Sequence, residues 1–311
     1  MALATFDLAT FEAASGEARA DMARALDRTC TDEGFLVLTG HGVPETVIEG
    51  VWNAVNGFFA QTALEKATVA PAFEGAPYGW IGPLKEALAA SKGVETPPDL
   101  KESFNGGPLV VPEGASQDAM DFCYQPTPYP ELIGFRAAWD AYYGELEELA
   151  ARIMVAFASA LGLPDQYFAP FIDHPISALR ALNYPATGAL TEADQQRAGA
   201  HTDYGTLTIL LPQAGVGGLQ VQRGGDWVDV TAPVGAFVIN IGDLMARWTS
   251  DRWVSTLHRV VARPNQPARK SLAYFHQPDW DAEIVPLDGS DSYAPVRSGP
   301  YLMAKFQSTG T

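Results

Sequence analysis

The residues of this chain best suited to chemistry lie in one short run, Gly199-Ala200-His201-Thr202-Asp203-Tyr204-Gly205. His201 and Asp203 stand two apart, so in extended chain both side chains fall on one face of a strand and can converge on a point. An imidazole with a carboxylate suits a borderline divalent metal such as iron, and a third ligand would complete one face of an octahedron while leaving other positions open. His258, in Thr256-Leu257-His258-Arg259-Val260, is the candidate for that third ligand. Alone, a His-x-Asp pair is weak evidence, because such pairs occur by chance on surfaces. Its weight comes from the next element, Arg269-Lys270-Ser271, at the start of an apolar stretch. There Arg269 and Ser271 share a face and Lys270 points away. A guanidinium fork beside a hydroxyl holds a carboxylate through charge-assisted, bidentate hydrogen bonds. No acid, base or nucleophile beyond the metal centre stands out.

These residues need a framework. From about residue 176 the sequence breaks into short β-prone runs separated by Gly, Pro and Asp: 207–211, 218–221, 227–230, 236–241, 257–261 and 271–276. Such a series indicates a sandwich or barrel. Before it, Ala18, Met22, Leu26 and Cys30 line one helix face that stops at Gly34, and Phe35 to Leu38 read as a buried strand. Pro44 opens a second helix carrying Val47, Ile48, Val51, Val55, Phe58 and Phe59 on one side. A long helix is expected at 131–161, ended by Gly162 and Pro164. Between these helices, residues 71–130 hold ten of the 23 prolines, which predicts a loop-rich excursion of the kind that covers a site. The organisation expected is a helical N-terminal region with a loop-rich lead over 1–130, and a long helix plus β core over 131–311, together one compact unit.

Composition narrows the function. Twenty Lys and Arg against 37 Asp and Glu give a net charge of -17, a field that repels phosphate backbones and anionic lipid, so neither nucleic acid nor membrane is expected as a partner. Cys30 and Cys123 have no metal-binding spacing and read as buried thiols. With no basic-then-apolar N-terminal stretch and no long apolar span, the expected location is cytoplasmic. His41, His174 and His276 are not expected to bind metal, His276 alternating outward from Phe275. The glycines at 215, 217 and 218 lack a strand-turn-helix setting and read as turn residues, and Asn240, Gly242 and Asp243 read as a tight turn between barrel strands.

The sequence resembles the isopenicillin N synthase-like branch of the Fe(II)/2-oxoglutarate dioxygenases. The resemblance rests on His201-Thr202-Asp203, His258 and Arg269-x-Ser271, with the flanking pieces Asn183-Tyr184-Pro185, Gly217-Gly218-Leu219-Gln220-Val221, Asn240-Ile241-Gly242-Asp243 and Phe275. It extends to Gly40-His41-Gly42-Val43, Gly79-Trp80 and Asp99-Leu100-Lys101-Glu102-Ser103-Phe104 in the N-terminal part. It implies a mainly β fold with flanking helices around a double-stranded β-helix, or jelly-roll, core. It further implies Fe(II) on His201, Asp203 and His258, and 2-oxoglutarate as co-substrate held by Arg269, Ser271 and Tyr184. Molecular oxygen and a small-molecule metabolite would complete the reaction, a hydroxylation, desaturation or cyclisation at a C–H bond. Phe275, Tyr204 and Phe104 are candidate substrate contacts, Tyr204 only if the chain turns after Asp203. Tyr78, Trp80, Phe104 and Tyr124 are aromatics of the excursion that could shield the pocket. An oxidase of the same branch working without 2-oxoglutarate is the nearest alternative, and a non-catalytic metal-binding β-barrel is a more distant one.

Overall fold

The computed structural model describes residues 3–73, 75–94, 96–188 and 195–309. Twelve strands make two facing sheets. The larger orders β1 (Thr5–Asp7), β2 (Phe35–Thr39), β10 (Phe237–Ile241), β7 (Leu207–Pro212), β12 (Arg269–His276), β5 (Ala178–Tyr184), β4 (Glu102–Gly106) and β3 (Gly79–Ile81). The smaller orders β6 (Ala198–His201), β11 (His258–Val260), β8 (Leu219–Arg223) and β9 (Asp226–Asp229). Apart from the parallel pair β1 and β2 at one edge, neighbours run antiparallel, and the two sheets form a jelly-roll core.

Two-residue alternation divides the large sheet between two environments. Leu36, Leu38, Leu179, Ala181, Leu207, Ile209, Phe237, Ile239, Leu272 and Tyr274 enter the core shared with the helices. The opposite parity, with Phe35, Val37, Leu182, Tyr184, Val238 and Ala273, faces the small sheet's Leu219, Val221 and Val260. The helical layer consists of α1 (Leu8–Ala13), α2 (Gly16–Asp32), α3 (Glu45–Phe59), the short α4 (Ala63–Ala67), and α6 (Phe135–Ala160), against which α2 and α3 pack. Helix α6 starts later than its periodicity suggests because Gly134 sits at φ +79°, a left-handed conformation that starts the helix at Phe135.

The 71–130 segment is more ordered than its prolines predict. It supplies β3, a 3₁₀ turn at Leu88–Lys92, the fully buried β4, and α5 (Gln117–Phe122). Strand β4 escapes recognition because Glu-Ser-Phe-Asn-Gly looks polar, yet its one charge is paired: Glu102 accepts from Lys66 (2.7 Å), Trp80 Nε1 (2.7 Å) and Asn183 Nδ2 (2.8 Å). Asn240 lies on β10 rather than in a turn, and Gly242 caps α7 (Asp243–Trp248), making a strand-to-helix junction instead of a link between strands. A Cβ on Gly242 would stand 2.2 Å from the Gly205 carbonyl oxygen, so only glycine fits. A C-terminal helix, α8 (Ser298–Thr309), closes the open end of the core. No helix among the described residues is long and apolar enough to cross a membrane.

Candidate functional site

A cavity of about 230 Å³ lies between the sheets, and His201, Asp203 and His258 line it. His201 ends β6 and His258 begins β11, and the two are register partners, which sets their rings side by side with centroids 4.3 Å apart. Each Nδ1 lies against the carbonyl two residues back, Gly199 at 2.7 Å and Thr256 at 3.1 Å. A carbonyl can only accept, so Nδ1 carries the proton and Nε2 presents its lone pair to the cavity. Both Nε2 atoms point at Asp203 Oδ1, at 3.8 and 3.7 Å, too far for a hydrogen bond but suited to sharing one cation, and the three ligand atoms lie within 4.8 Å of one another.

Asp203 does not reach this position by strand alternation, since β6 ends at His201 and Thr202 to Gly205 all line the cavity. The chain turns there because the Asp243 amide donates to the Asp203 carbonyl (2.7 Å) and the Leu244 amide to Gly205 (3.1 Å). The same turn brings Tyr204 to the cavity, against Phe306 of α8. Asp203 Oδ2 accepts from Thr208 Oγ1 and from Asn240 Nδ2 (2.8 Å), leaving Oδ1 for the centre. Burial pushes the Asp203 carboxyl up, but the imidazoles and these donors outweigh it and hold it below its ordinary value. Burial, then His258, brings His201 down to about 3. Neutral imidazole and ionised carboxylate are the forms a metal binds, so this donor set fits a divalent ion.

Arg269, Ser271, Ala273 and Phe275 project from β12 into the same cavity. Arg269 is 2% exposed, and its Nε and Nη1 are buried with no hydrogen-bond partner among the described residues. It pairs in register with Tyr184, and its guanidinium lies 5.2 Å from that ring's centroid. Burial lowers its pKa from the ordinary value. A buried guanidinium with unused donors, beside the Ser271 hydroxyl and between apolar walls, has the chemistry to receive a carboxylate.

Other residues fall elsewhere. Phe104 is fully buried on the helix side of β4, edge-on to Trp139 (4.9 Å) and Phe135 (5.2 Å), and belongs to the core instead of the cavity wall. Trp80 packs against that core and Tyr124 against Trp280, while Tyr78 does line the cavity, its hydroxyl donating to the Cys123 carbonyl (2.6 Å). His276 points away from the cavity but not outward: it is 1% exposed, with Nδ1 2.6 Å from Thr206 Oγ1, and burial brings its pKa to about 4. His41 and His174 lie outside the cavity.

Three contributors are not evident from the sequence. Asn240 and Thr208 are register partners facing inward, a position that parity along Phe237–Ile241 could have revealed. Arg197, buried, donates from Nη2 to the carbonyls of Pro185 (2.8 Å) and Pro267 (2.5 Å), stapling the chain next to Tyr184 and just before Arg269. No local pattern signals that contact.

Comparison with known proteins gives consistent matches. A family model described as the 2OG-Fe(II) oxygenase superfamily covers residues 176–278, and one described as the N-terminal part of the non-haem dioxygenase in morphine synthesis covers 3–131. The chain is 35% identical to validamycin A dioxygenase of Streptomyces hygroscopicus subsp. limoneus, over 89% of this chain and 76% of that one. It is 34% identical to a proline hydroxylase of Petromyces alliaceus, over 82% and 80%. A full-length Neurospora crassa protein, solved in complex with alpha-KG (2-oxoglutarate), superposes with a TM-score of 0.86 at 29% identity, covering 98% of this chain and 95% of that one.

Proposed function

The chain belongs to the 2OG-Fe(II) oxygenase superfamily, and from that premise we propose that His201, Asp203 and His258 hold its iron while Arg269, Ser271 and Tyr184 hold the far carboxylate of 2-oxoglutarate. The protein is a 2-oxoglutarate-dependent dioxygenase. The observation that carries the assignment is the pair of buried, unpartnered Arg269 nitrogens in the cavity that the His-Asp-His trio lines. Iron(II), bound with 2-oxoglutarate and oxygen, supplies the oxidising power that breaks a C–H bond, the co-substrate leaving as succinate and carbon dioxide.

The protein's own part is positioning. The Gly199 and Thr256 carbonyls hold the two imidazole tautomers, and Thr208 and Asn240 hold the carboxylate so that one oxygen faces the centre. Arg269 and Ser271 fix one end of the co-substrate, and Leu182, Leu210, Leu219 and Val260 keep water from its length. Phe275 and Tyr204 line the same cavity and are proposed to contact the substrate. A net charge of -17 favours a small-molecule substrate over a polyanion.

Iron titration, followed by oxygen uptake with 2-oxoglutarate present, tests the trio. His258→Ala is expected to lose tight iron binding and oxygen consumption while keeping its circular dichroism spectrum. Full-strength binding in that variant would mean that the third ligand lies elsewhere.

A further inference from the structure

A second guanidinium enters the cavity from the same wall. Arg180 sits on β5 four residues before Tyr184 and on the same face, which separates it from the Arg269–Tyr184 pair by about 13 Å at the usual strand rise. A five-carbon dicarboxylate anchored at Arg269 with its other end on the metal trio does not reach it. Arg180 therefore needs a different occupant.

Its setting leaves donors unused. Arg180 Nε donates to Asn105 Oδ1 (2.7 Å) and Nη2 to Glu86 Oε1 (3.0 Å), while Nη1 makes no hydrogen bond among the described residues. Asn105 is 3% exposed, and its Nδ2 is buried on the cavity wall without a partner among the described residues. Glu86 is not waiting for substrate, because its other oxygen takes Lys101 Nζ (3.0 Å), which also reaches Asp99 (3.0 Å). Burial raises the Glu86 carboxyl, but Arg180 and Lys101 outweigh it and bring it to about 2, so it stays ionised. Charges alternate along Asp99, Lys101, Glu86 and Arg180, and the cationic end faces the cavity. Around it the wall is apolar, with Leu88, Ile176, Phe122, Leu302 and Phe306.

We infer that Arg180, with Asn105 Nδ2, is the substrate anchor, and that the substrate is a small, largely apolar molecule carrying a carboxylate. The inference rests on the co-substrate lying at Arg269, as proposed above. Glu86 is a positioning residue: it holds the guanidinium in place and Lys101 holds Glu86. The carboxylate accepts from the free edge of Arg180 and from Asn105, while its apolar body lies against the Phe306 side.

The test is anaerobic calorimetry on the protein loaded with Fe(II) and 2-oxoglutarate, titrated with a panel of apolar monocarboxylates of six to twelve carbons, roughly the size such a cavity admits, each paired with its own primary amide. Acids in the panel are expected to bind at least tenfold more tightly than their amides. Arg180→Gln is expected to weaken acid binding by about 30-fold and to erase the difference within each pair. Arg180→Lys, which keeps a charge opposite Glu86 and guards against misfolding, is expected to retain part of the preference. Binding of no acid, amides equal to acids, or an undiminished preference in Arg180→Gln overturns the inference. Titration of 2-oxoglutarate into separate samples of the protein and of Arg269→Ala loaded with Fe(II) alone reports on the co-substrate reading, so failure of that reading shows as unchanged 2-oxoglutarate affinity in Arg269→Ala.

Discussion

Arg269 and Arg180 occupy opposite ends of one cavity wall, and their surroundings are assembled in different ways. At the Arg269 end, Tyr184, Ser271, Thr208, Asn240 and the two histidines stand on barrel strands, several of them as direct register partners. Their positions follow from pairing and parity. At the Arg180 end, Glu86, Asp99, Lys101 and Asn105 come from the 71–130 segment, and Leu302 and Phe306 from α8. Asn105 pairs in register with Arg180, while Glu86, Asp99, Lys101 and the α8 residues are placed by long-range packing. The proposed iron and co-substrate end is thus tied to the barrel, and most of the surroundings of Arg180 lie on segments outside it, which can vary without disturbing the barrel strands.

Phe104 and Asn105 put this comparison under the greatest strain, since adjacent residues of β4 serve the core and the cavity. Phe104→Ala is expected to cost about 3–5 kcal/mol of stability by leaving a void among aromatic rings. Chemical denaturation measures it, and the KM for 2-oxoglutarate should stay within about twofold of the starting value if Phe104 belongs only to the core. A small stability loss with a large KM change would return Phe104 to the site.

Arg269→Ala tests the barrel end directly. Removing a buried charged hydrogen-bond partner costs about 2–5 kcal/mol, a weakening of 2-oxoglutarate binding by about 30-fold or more. Arg269→Lys should recover only part, because one ammonium does not reproduce the planar fork. Succinate formation against 2-oxoglutarate concentration reads both. Full turnover without any 2-oxoglutarate would contradict the proposed anchoring.

Asn240→Ala sharpens the comparison more finely. It takes one donor from Asp203 Oδ2 and leaves the three proposed ligands in place, and the loss of such a supporting contact lowers metal affinity by about 10- to 100-fold. Iron affinity equal to that of the unaltered protein would show that the turn after His201 orients Asp203 unaided.

A further effect is in pH. In the metal-free protein the folded-state pKa of His276 is about 4 and that of His201 about 3, both below the ordinary value of 6.5. Between these values the unfolded chain binds more protons than the folded one. The stability contribution is therefore complete above about pH 6.5 and declines as pH falls toward 4, by about 1.4 kcal/mol per unit for each histidine. His276→Asn should show a slope shallower by about one proton in urea midpoints between pH 7 and 4.5. Identical slopes would mean that His276 is hydrated.

Much of the barrel was legible because its signals are local. Short apolar runs bounded by Gly and Pro mark β7, β8, β10 and β12 close to their observed limits. Alternation also puts Arg269, Ser271 and Phe275 on one side. The same rule fails at Asp203, where the strand stops one residue after Ala200, and Asn240, two residues before Gly242, resembles a turn residue although it lies on a strand. In β4 the rule had nothing to read, since Glu102 and Asn105 put polar groups on both faces, and the partners of the Glu102 carboxylate and the Asn105 Oδ1 are distant in the chain.

The sequence by itself determined the donor types, their parity on the strands and the apolar periodicity of the helices, because each depends on covalent geometry and on residues a few positions apart. Tertiary structure alone decided that His201 and His258 become register partners, that Asp203 turns one oxygen toward them, and that Arg180 stands at the end of a buried charge chain. The reason is physical. A buried charge is tolerable only where a partner meets it, and which distant segment supplies that partner depends on how the whole chain packs.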